Sequence, residues 1–109
     1  MDTSVKTIQE NHLAEIEMLA KIEREAFGIG GMNEWMIVPL IRHGKVYALF
    51  YGDEIIGGAY FMRDWDFPEK VYLLSIAVAA AHQGKGMGTF LLKEALGLLK
   101  KEGIEKVEL

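Results

Sequence analysis

The 109-residue sequence contains no cysteine and only two prolines. Disulfides, thiolate metal sites and a cysteine nucleophile are therefore excluded. The sequence also lacks a secretory hydrophobic segment near its N-terminus, and no apolar run approaches the roughly 20 residues of a membrane span. We therefore expect a cytoplasmic protein that binds neither a metal ion nor a membrane.

Positive charge is not in excess either. Twelve Lys and Arg residues are mixed along the chain with sixteen Asp and Glu residues, which gives a net charge of −4. Because nucleic-acid-binding proteins carry clustered basic residues, we expect no nucleic-acid partner. Half of the residues are hydrophobic, which is enough for one core in a chain of this length. The sequence therefore predicts a single domain over residues 1–109.

The N-terminal part is predicted to contain a short strand and two helices. Weak alternation over residues 4–8 favours a strand, and Asn11 is a candidate N-cap for the helix that follows. The apolar stripe of this helix consists of Leu13, Ile16, Leu19, Ala20, Glu23 and Phe27. Glycines at 28, 30 and 31 end it. A second helix is predicted over residues 33–42, where Pro39 requires a nearby turn or kink.

The central part is predicted to form three strands. Residues 46–51 and 54–61 flank a Gly-Asp turn, which is typical of an antiparallel hairpin. Gly57 and Gly58 within the second strand indicate a bulge or a close backbone neighbour. Residues 64–69 form a loop. Residues 71–78 are largely apolar, so we expect a strand that is buried on both faces and central in its sheet.

A glycine-rich segment, called the glycine loop below, joins that strand to a helical pattern. Its sequence is Gln83-Gly84-Lys85-Gly86-Met87-Gly88-Thr89. The first amides of a helix lack helical partners and lie at the positive end of the helix dipole, and glycines allow phosphates to approach closely. The segment therefore predicts a pyrophosphate site. A P-loop is excluded because Gly86 stands where Ser or Thr is required, and a dinucleotide fingerprint is disfavoured by Thr89 at its third glycine.

The C-terminal part is predicted to form a helix and a strand. The apolar face of the helix consists of Leu91, Leu92, Ala95, Leu96 and Leu99. Gly103 is the expected C-cap, and Ile104 supplies the hydrophobic contact that follows such a cap. A strand begins at residues 107–109. The predicted order is strand, helix, helix, strand, strand, strand, helix, strand.

Two segments resemble the GNAT superfamily of acetyl-CoA-dependent N-acetyltransferases. They are Leu74-Ser75-Ile76-Ala77-Val78 and the glycine loop, which fits the family pattern Gln/Arg-x-x-Gly-x-Gly/Ala. The resemblance implies an α/β (α+β) fold with a mixed, mostly antiparallel central sheet flanked by helices. It also implies transfer of an acetyl group from acetyl-CoA to a primary amine by direct attack. The amine would be a small molecule, a protein N-terminus or a lysine, and the resemblance is closest to the branch that acetylates protein N-termini and small amines.

The resemblance also implies how acetyl-CoA is held. Main-chain amides of the glycine loop would bind the diphosphate, at Gln83, Gly84, Lys85, Gly86, Met87, Gly88 and Thr89, and Lys85 would add a charge contact. Ile76, Ala77 and Val78 would offer main-chain groups to the pantetheine arm and the thioester carbonyl. A glycine turn that joins strand to helix and binds nothing is the open alternative.

The residue that takes the amine proton is not obvious. The histone-acetylating branch of the resembled family carries its basic glutamate at the position of Tyr72, and Glu69 lies just before this strand. Tyr72 and Glu69 are therefore the candidate catalytic residues. Three alternatives stay open. Asp64 or Asp66 could relay a proton through water, the acidic loop could simply be solvated, and Tyr72 could only line the cleft. His82 lies beside the phosphates and is not expected to be catalytic.

The resemblance ends with the chain. Members of the resembled family continue into a helix whose tyrosine protonates the thiolate, and then into a final hairpin. We therefore expect a C-terminally incomplete acetyl-CoA-binding domain, either a fragment or a natural short form, whose exposed last strand supports a homodimer. Two functions compete: an N-acetyltransferase, and a non-catalytic acetyl-CoA-binding or self-associating module.

Overall fold

The computed structural model describes residues 2–109 and contains, within that range, five strands, three α-helices and two short 3₁₀ turns. In chain order they are β1 (Thr3–Thr7), α1 (Leu13–Phe27), a turn (Gly28–Gly30), α2 (Glu34–His43), β2 (Gly44–Tyr51), β3 (Glu54–Arg63), β4 (Lys70–Val78), a turn (Ala80–His82), α3 (Met87–Lys101) and β5 (Lys106–Glu108). The predicted order of elements is confirmed. Of the helices between residues 2 and 109, none is long and apolar enough to cross a membrane.

The five strands form one sheet in the order β1-β2-β3-β4-β5. Neighbours from β1 to β4 are antiparallel, whereas β5 is parallel to β4. A parallel neighbour requires a crossover connection, and α3 supplies it. The predicted fold class, a mixed and mostly antiparallel sheet flanked by helices, is therefore confirmed.

Helices cover both faces of the sheet, because successive strand side chains point to opposite sides. One hydrophobic core joins Ile16 of α1 and Ile37 of α2 to strand residues such as Ala48. The other joins Leu91 of α3 to strand residues such as Tyr47, the neighbour of Ala48 in β2. β4 contacts both α1 and α3. The strand that precedes the glycine loop therefore lies between the two helical layers.

The two N-terminal helices begin differently from one another. Asn33 caps α2, since its side-chain oxygen accepts a hydrogen bond from the Met36 amide at 3.2 Å. The prediction that Asn11 caps α1 is wrong. The residue before α1 is His12, which makes no side-chain cap and instead accepts a hydrogen bond from the Gln9 amide at Nδ1, 3.1 Å. The imidazole thereby closes the turn between β1 and α1.

Two bulges interrupt the register of the sheet. Ile56 of β3 is passed over in the pairing with β2, and Leu74 of β4 is passed over in the pairing with β3. The first bulge lies directly before the glycine pair in β3. A Cβ atom on Gly58 would lie 2.6 Å from Leu19 Cδ2. A bulge is therefore present beside the glycine pair, and the close backbone neighbour is present at Gly57, where a Cβ atom would lie 2.9 Å from the Ala77 carbonyl oxygen.

Replacing Gly58 by alanine is expected to destabilise the fold. The added Cβ atom would press on Leu19 at 2.6 Å, and Leu19 is fully buried. Overpacking of this kind costs about 1–3 kcal/mol, to be measured as the free energy of unfolding in urea. The control is Gly97→Ala in α3, where the new Cβ atom meets nothing within 4 Å and the fold should gain about 0.5–1 kcal/mol. Equal stabilities of the two variants would contradict the close packing at Gly58.

Candidate functional site

β5 covers only the beginning of β4. The parallel pairing joins Lys70, Val71 and Tyr72 to β5, and residues 73–78 of β4 extend beyond it. Between residues 2 and 109, no strand pairs with the outer side of residues 73–78, which we call the open edge. The prediction that β4 is buried on both faces is wrong, since Tyr72 is 41% exposed and Leu74 is 40% exposed.

The bulge in β4 lies at the start of the open edge. Leu74 is the extra residue, two positions after the last residue that pairs with β5. A bulge bends its strand, increases the local twist and changes the direction of the side chains beside it. The open edge therefore begins at a bend and presents main-chain N–H and C=O groups without strand partners.

α3 begins where the open edge ends, after a loop with two left-handed glycines. Gly84 has a φ of +78° and Gly86 a φ of +77°, a region that other residues rarely adopt. The first bond of α3 runs from the Phe90 amide to the Gly86 carbonyl, 3.0 Å. The amides of residues 87–89 precede it and have no helical acceptor. They carry the positive end of the helix dipole.

The open edge, the glycine loop and the end of α1 enclose a cleft of about 700 Å³. This volume lies within the range of roughly 300–1,000 Å³ that is usual for small-molecule and cofactor sites. The cleft is lined by Glu25, Ala26, Phe27, Ile76, Ala77, Val78, Ala80, Gln83, Gly84, Gly86, Met87, Gly88 and Thr89. The structure thus brings together every predicted cofactor-binding residue except Lys85, which is exposed beside the cleft.

Gln83 has a structural role that the motif did not indicate. Its side-chain Nε2 donates a hydrogen bond to the Val78 carbonyl oxygen at 2.9 Å. This bond ties the glycine loop to the last residue of β4. The neighbouring His82 contacts the Tyr51 ring, with ring centroids 5.6 Å apart, and does not line the cleft.

The two predicted catalytic residues also lie outside the cleft. Glu69 precedes β4, and its carbonyl accepts a hydrogen bond from the Glu105 amide at 2.7 Å. It stands eight residues before Ala77, a separation of roughly 26 Å along an extended strand. Tyr72 lies opposite Glu108 in the pairing of β4 with β5. The structure does not bring either residue to the glycine loop, and their catalytic role stays a prediction.

Asp64, an alternative acid in the loop before β4, is hydrogen-bonded to main-chain amides of the same loop. Its carboxylate accepts hydrogen bonds from the amides of Asp66 at 2.9 Å and Phe67 at 3.0 Å. These bonds, followed by the charge of Lys70 at 3.8 Å, lower the pKa of Asp64. A carboxylate with a lowered pKa is a weaker base. Asp64 is therefore better suited to fixing the loop before β4 than to accepting a proton.

α1 contributes a buried acid that the sequence placed in the apolar stripe but did not assign to the site. Glu23 is only 1% exposed. Its Oε2 accepts a hydrogen bond from Ser75 Oγ at 2.8 Å, and its Oε1 accepts one from the Met32 amide at 3.0 Å. The ion pairs found in residues 2–109 do not include Glu23. The sequence did contain a signal for this role. Glu23 stands among the apolar positions of α1, and glutamate is rarely buried without partners.

The sheet order and the cleft beside an open strand edge define an α/β protein of the acetyltransferase class. The sequence model of the acetyltransferase (GNAT) family matches residues 11–109, and the chain belongs to this family. The family expected from the glycine loop is thereby confirmed, whereas the branch within it stays a prediction. Among curated proteins, none matches the chain significantly.

Solved structures with this fold include acetyltransferases of several kinds. An aminoglycoside acetyltransferase from an uncultured soil metagenomic sample is 24% identical, with a TM-score of 0.75 over 98% of this chain and 78% of that one. PaiA N-acetyltransferase from Thermoplasma acidophilum, in complex with coenzyme A, is 18% identical, with a TM-score of 0.70 over 95% and 76%. Ribosomal-protein-alanine N-acetyltransferase from Brucella melitensis is 15% identical, with a TM-score of 0.75 over 99% and 79%. At these identities the likeness concerns the fold.

Replacing Glu23 by alanine is expected to destabilise the protein. The change would leave the Met32 amide and the Ser75 hydroxyl without their acceptor. Each buried polar group left unpaired costs about 1–3 kcal/mol, to be measured as the free energy of unfolding in urea. The control is Glu17→Ala, an exposed acid on the same helix, which should change stability by no more than about 0.5 kcal/mol. Matching values for both variants would show that Glu23 does not hold α1 to its neighbours.

Proposed function

We propose that this protein is an N-acetyltransferase that moves an acetyl group from acetyl-CoA to a primary amine. The observation that carries the proposal is the convergence of the open edge of β4 and the N-terminus of α3 on one cleft. An open strand edge suits an extended arm that contains amides, and a helix N-terminus suits an anion. Acetyl-CoA combines both features in one molecule and supplies an activated acetyl thioester.

The glycine loop fits a diphosphate. Cβ atoms added to Gly84 or Gly86 would meet nothing within 4 Å, so the space beside these backbone positions is open to a ligand. The amides of residues 87–89 and the positive end of the α3 dipole would hold the charge, and exposed Lys85 would add a cation. The fit therefore depends mainly on main-chain groups.

The open edge fits the pantetheine arm. Ile76 and Ala77 line the cleft on the open edge, and the next residue, Val78, adjoins the glycine loop through the bond from Gln83. We assign Ile76, Ala77 and Val78 to main-chain contacts with this arm, in which Val78 would use its N–H because its carbonyl already accepts a hydrogen bond from Gln83. An arm that follows the edge from Val78 to Leu74 covers about 13 Å and ends at the bulge. A main-chain amide near the bulge would donate to the oxyanion that develops on the acetyl group.

The acceptor is proposed to be a primary amine. Two of the solved structures above are named as acetyltransferases of aminoglycosides and of a ribosomal-protein alanine, and both acceptors are amines. Their likeness supports the class of acceptor rather than one compound. The branch that acetylates protein N-termini and small amines stays part of the proposal.

Titration calorimetry with acetyl-CoA tests the cofactor site. We expect saturable binding by the unaltered chain and at least about tenfold weaker binding by Gly86→Asp, because a carboxylate would face the diphosphate. Asp is a favourable N-cap and tolerates left-handed backbone better than most residues, so α3 should still form. The control is Gly97→Asp, which adds the same charge to α3 at a residue outside the cleft. Equal affinity of both variants would contradict the assignment of the glycine loop.

Release of the coenzyme A thiol tests the transfer itself. The acceptors are an aminoglycoside, an alanine-terminated peptide, a lysine-containing peptide and ethylamine, each supplied with acetyl-CoA. An N-acetyltransferase releases thiol only when an amine is present and forms the matching amide. Binding of acetyl-CoA without amine-dependent release would contradict the proposal and support a non-catalytic acetyl-CoA-binding module.

A further inference from the structure

Glu23 connects α1 to β4, two of the elements whose ends line the cleft. Its carboxylate accepts a hydrogen bond from Ser75 Oγ at 2.8 Å, across the interface between α1 and β4. Ser75 and Ala77 are two residues apart on β4, so their side chains point to the same face about 7 Å apart. Ala77 lines the cleft, as does the end of α1 at Glu25. Glu23 and Ser75 therefore adjoin the wall of the cleft.

Ser75 also adjoins the bulge. It directly follows Leu74, the extra residue in the pairing of β3 with β4, and it is only partly buried. The open edge begins at Leu73, so Ser75 lies on the part of β4 assigned above to the thioester end of the arm. Its hydroxyl contacts the buried carboxylate, and the two residues that follow it, Ile76 and Ala77, line the cleft.

Among residues 2–109, Glu23 accepts hydrogen bonds but takes part in no ion pair. Its described donors are the Met32 amide and the Ser75 hydroxyl. Tyr60 lies opposite Ser75 in the pairing with β3, and burial, with a smaller contribution from Glu23, raises the pKa of its hydroxyl. The Tyr60 hydroxyl therefore stays protonated and adds no second negative charge beside the carboxylate. A buried carboxylate without a cation favours the approach of a positive group.

We propose that Ser75 and Glu23 relay the proton of the acceptor ammonium away from the reaction, an inference that rests on the acetyltransferase proposed above. Ser75 Oγ takes a proton from the ammonium while its own proton moves to Glu23 Oε2. The neutral amine then forms its N–C bond to the acetyl carbon, and the C–S bond breaks. The thiolate leaves with the electron pair and takes the second amine proton, after which Glu23 releases its proton to solvent. Ser75 is thus the catalytic residue and Glu23 a positioning residue that acts through it.

A purely structural role for Glu23 makes a different prediction. Its bond to the Met32 amide also holds the segment between α1 and α2 against α1. If that were its whole role, loss of the charge would affect all amines alike. A proton relay is needed only by an amine that arrives protonated.

The test compares ethylamine with 2,2,2-trifluoroethylamine, which is close to it in shape but is largely uncharged at neutral pH. Glu23→Gln and Ser75→Ala should lower kcat with ethylamine by about 100-fold, and with trifluoroethylamine by no more than about threefold. KM for acetyl-CoA should not change. Ser75→Thr, which keeps a hydroxyl, should restore kcat to within about threefold of the unaltered chain. Glu17→Gln, the exposed acid on the same helix, is the matched control.

Calorimetry gives a readout that does not depend on turnover. Binding of the same two amines is measured in the presence of coenzyme A, which cannot donate an acetyl group. Glu23→Gln should weaken binding of ethylammonium about tenfold and leave binding of the uncharged amine unchanged. A glutamine can accept from the Met32 amide and donate to Ser75, so the fold should persist, and urea unfolding of each variant checks this.

The outcomes separate the two proposals. The relay is supported if Glu23→Gln and Ser75→Ala lose kcat with ethylamine but not with trifluoroethylamine, and if Glu23→Gln binds only ethylammonium more weakly. Equal losses with both amines, or unchanged kcat in Ser75→Ala, would overturn the relay while leaving the acetyltransferase intact. No transfer by the unaltered chain to either amine or to the acceptors named above would overturn both.

Discussion

Hydrogen bonding along β4 is the constraint on which the candidate site depends. β5 pairs with Lys70, Val71 and Tyr72, and the Leu74 bulge follows two residues after the last of them. Main-chain N–H and C=O groups at an unpaired strand edge are available to form hydrogen bonds. Because α3 begins just beyond that edge, the partner that fits carries both an arm with amides and an anionic group. The same strand thus pairs with β5 at its beginning and presents a binding edge at its end.

The conformation of the glycine loop is fixed by its own backbone and by a hydrogen bond to β4. Gly84 and Gly86 adopt left-handed backbone, and the Gln83 side chain is bonded to the Val78 carbonyl at 2.9 Å. Donors that are fixed before a ligand arrives need less ordering when it binds, and they also stabilise developing charge more effectively. In the proposed binding mode backbone amides supply the contacts to the diphosphate, which suits a loop where Gly84, Gly86 and Gly88 carry no side chains.

The sequence predicted those features that depend on local patterns. The order of elements, the hairpin and the position of the glycine loop follow from periodicity and turn residues. The exposure of Tyr72 could not be predicted, because it depends on how far the helices cover that face of the sheet, which no local pattern indicates. Asn11 was misassigned because His12, one residue later, closes the turn instead. Glu23 stood out only as an acid in an apolar stripe, and its meaning depends on Ser75, which is 52 positions away in the sequence.

The charge of Glu23 is the feature that packing alone does not explain. An aliphatic residue at this position would complete the apolar stripe of α1, and a buried carboxylate without a cation carries a large desolvation cost. Two hydrogen bonds offset part of that cost, yet a neutral amide side chain could satisfy the Met32 amide and the Ser75 hydroxyl equally well. A glutamate adds a negative charge that is hydrogen-bonded to Ser75, a residue of the open edge. In the proposed relay the acceptor amine reaches this edge as a cation, and the charge of Glu23 then has a physical purpose.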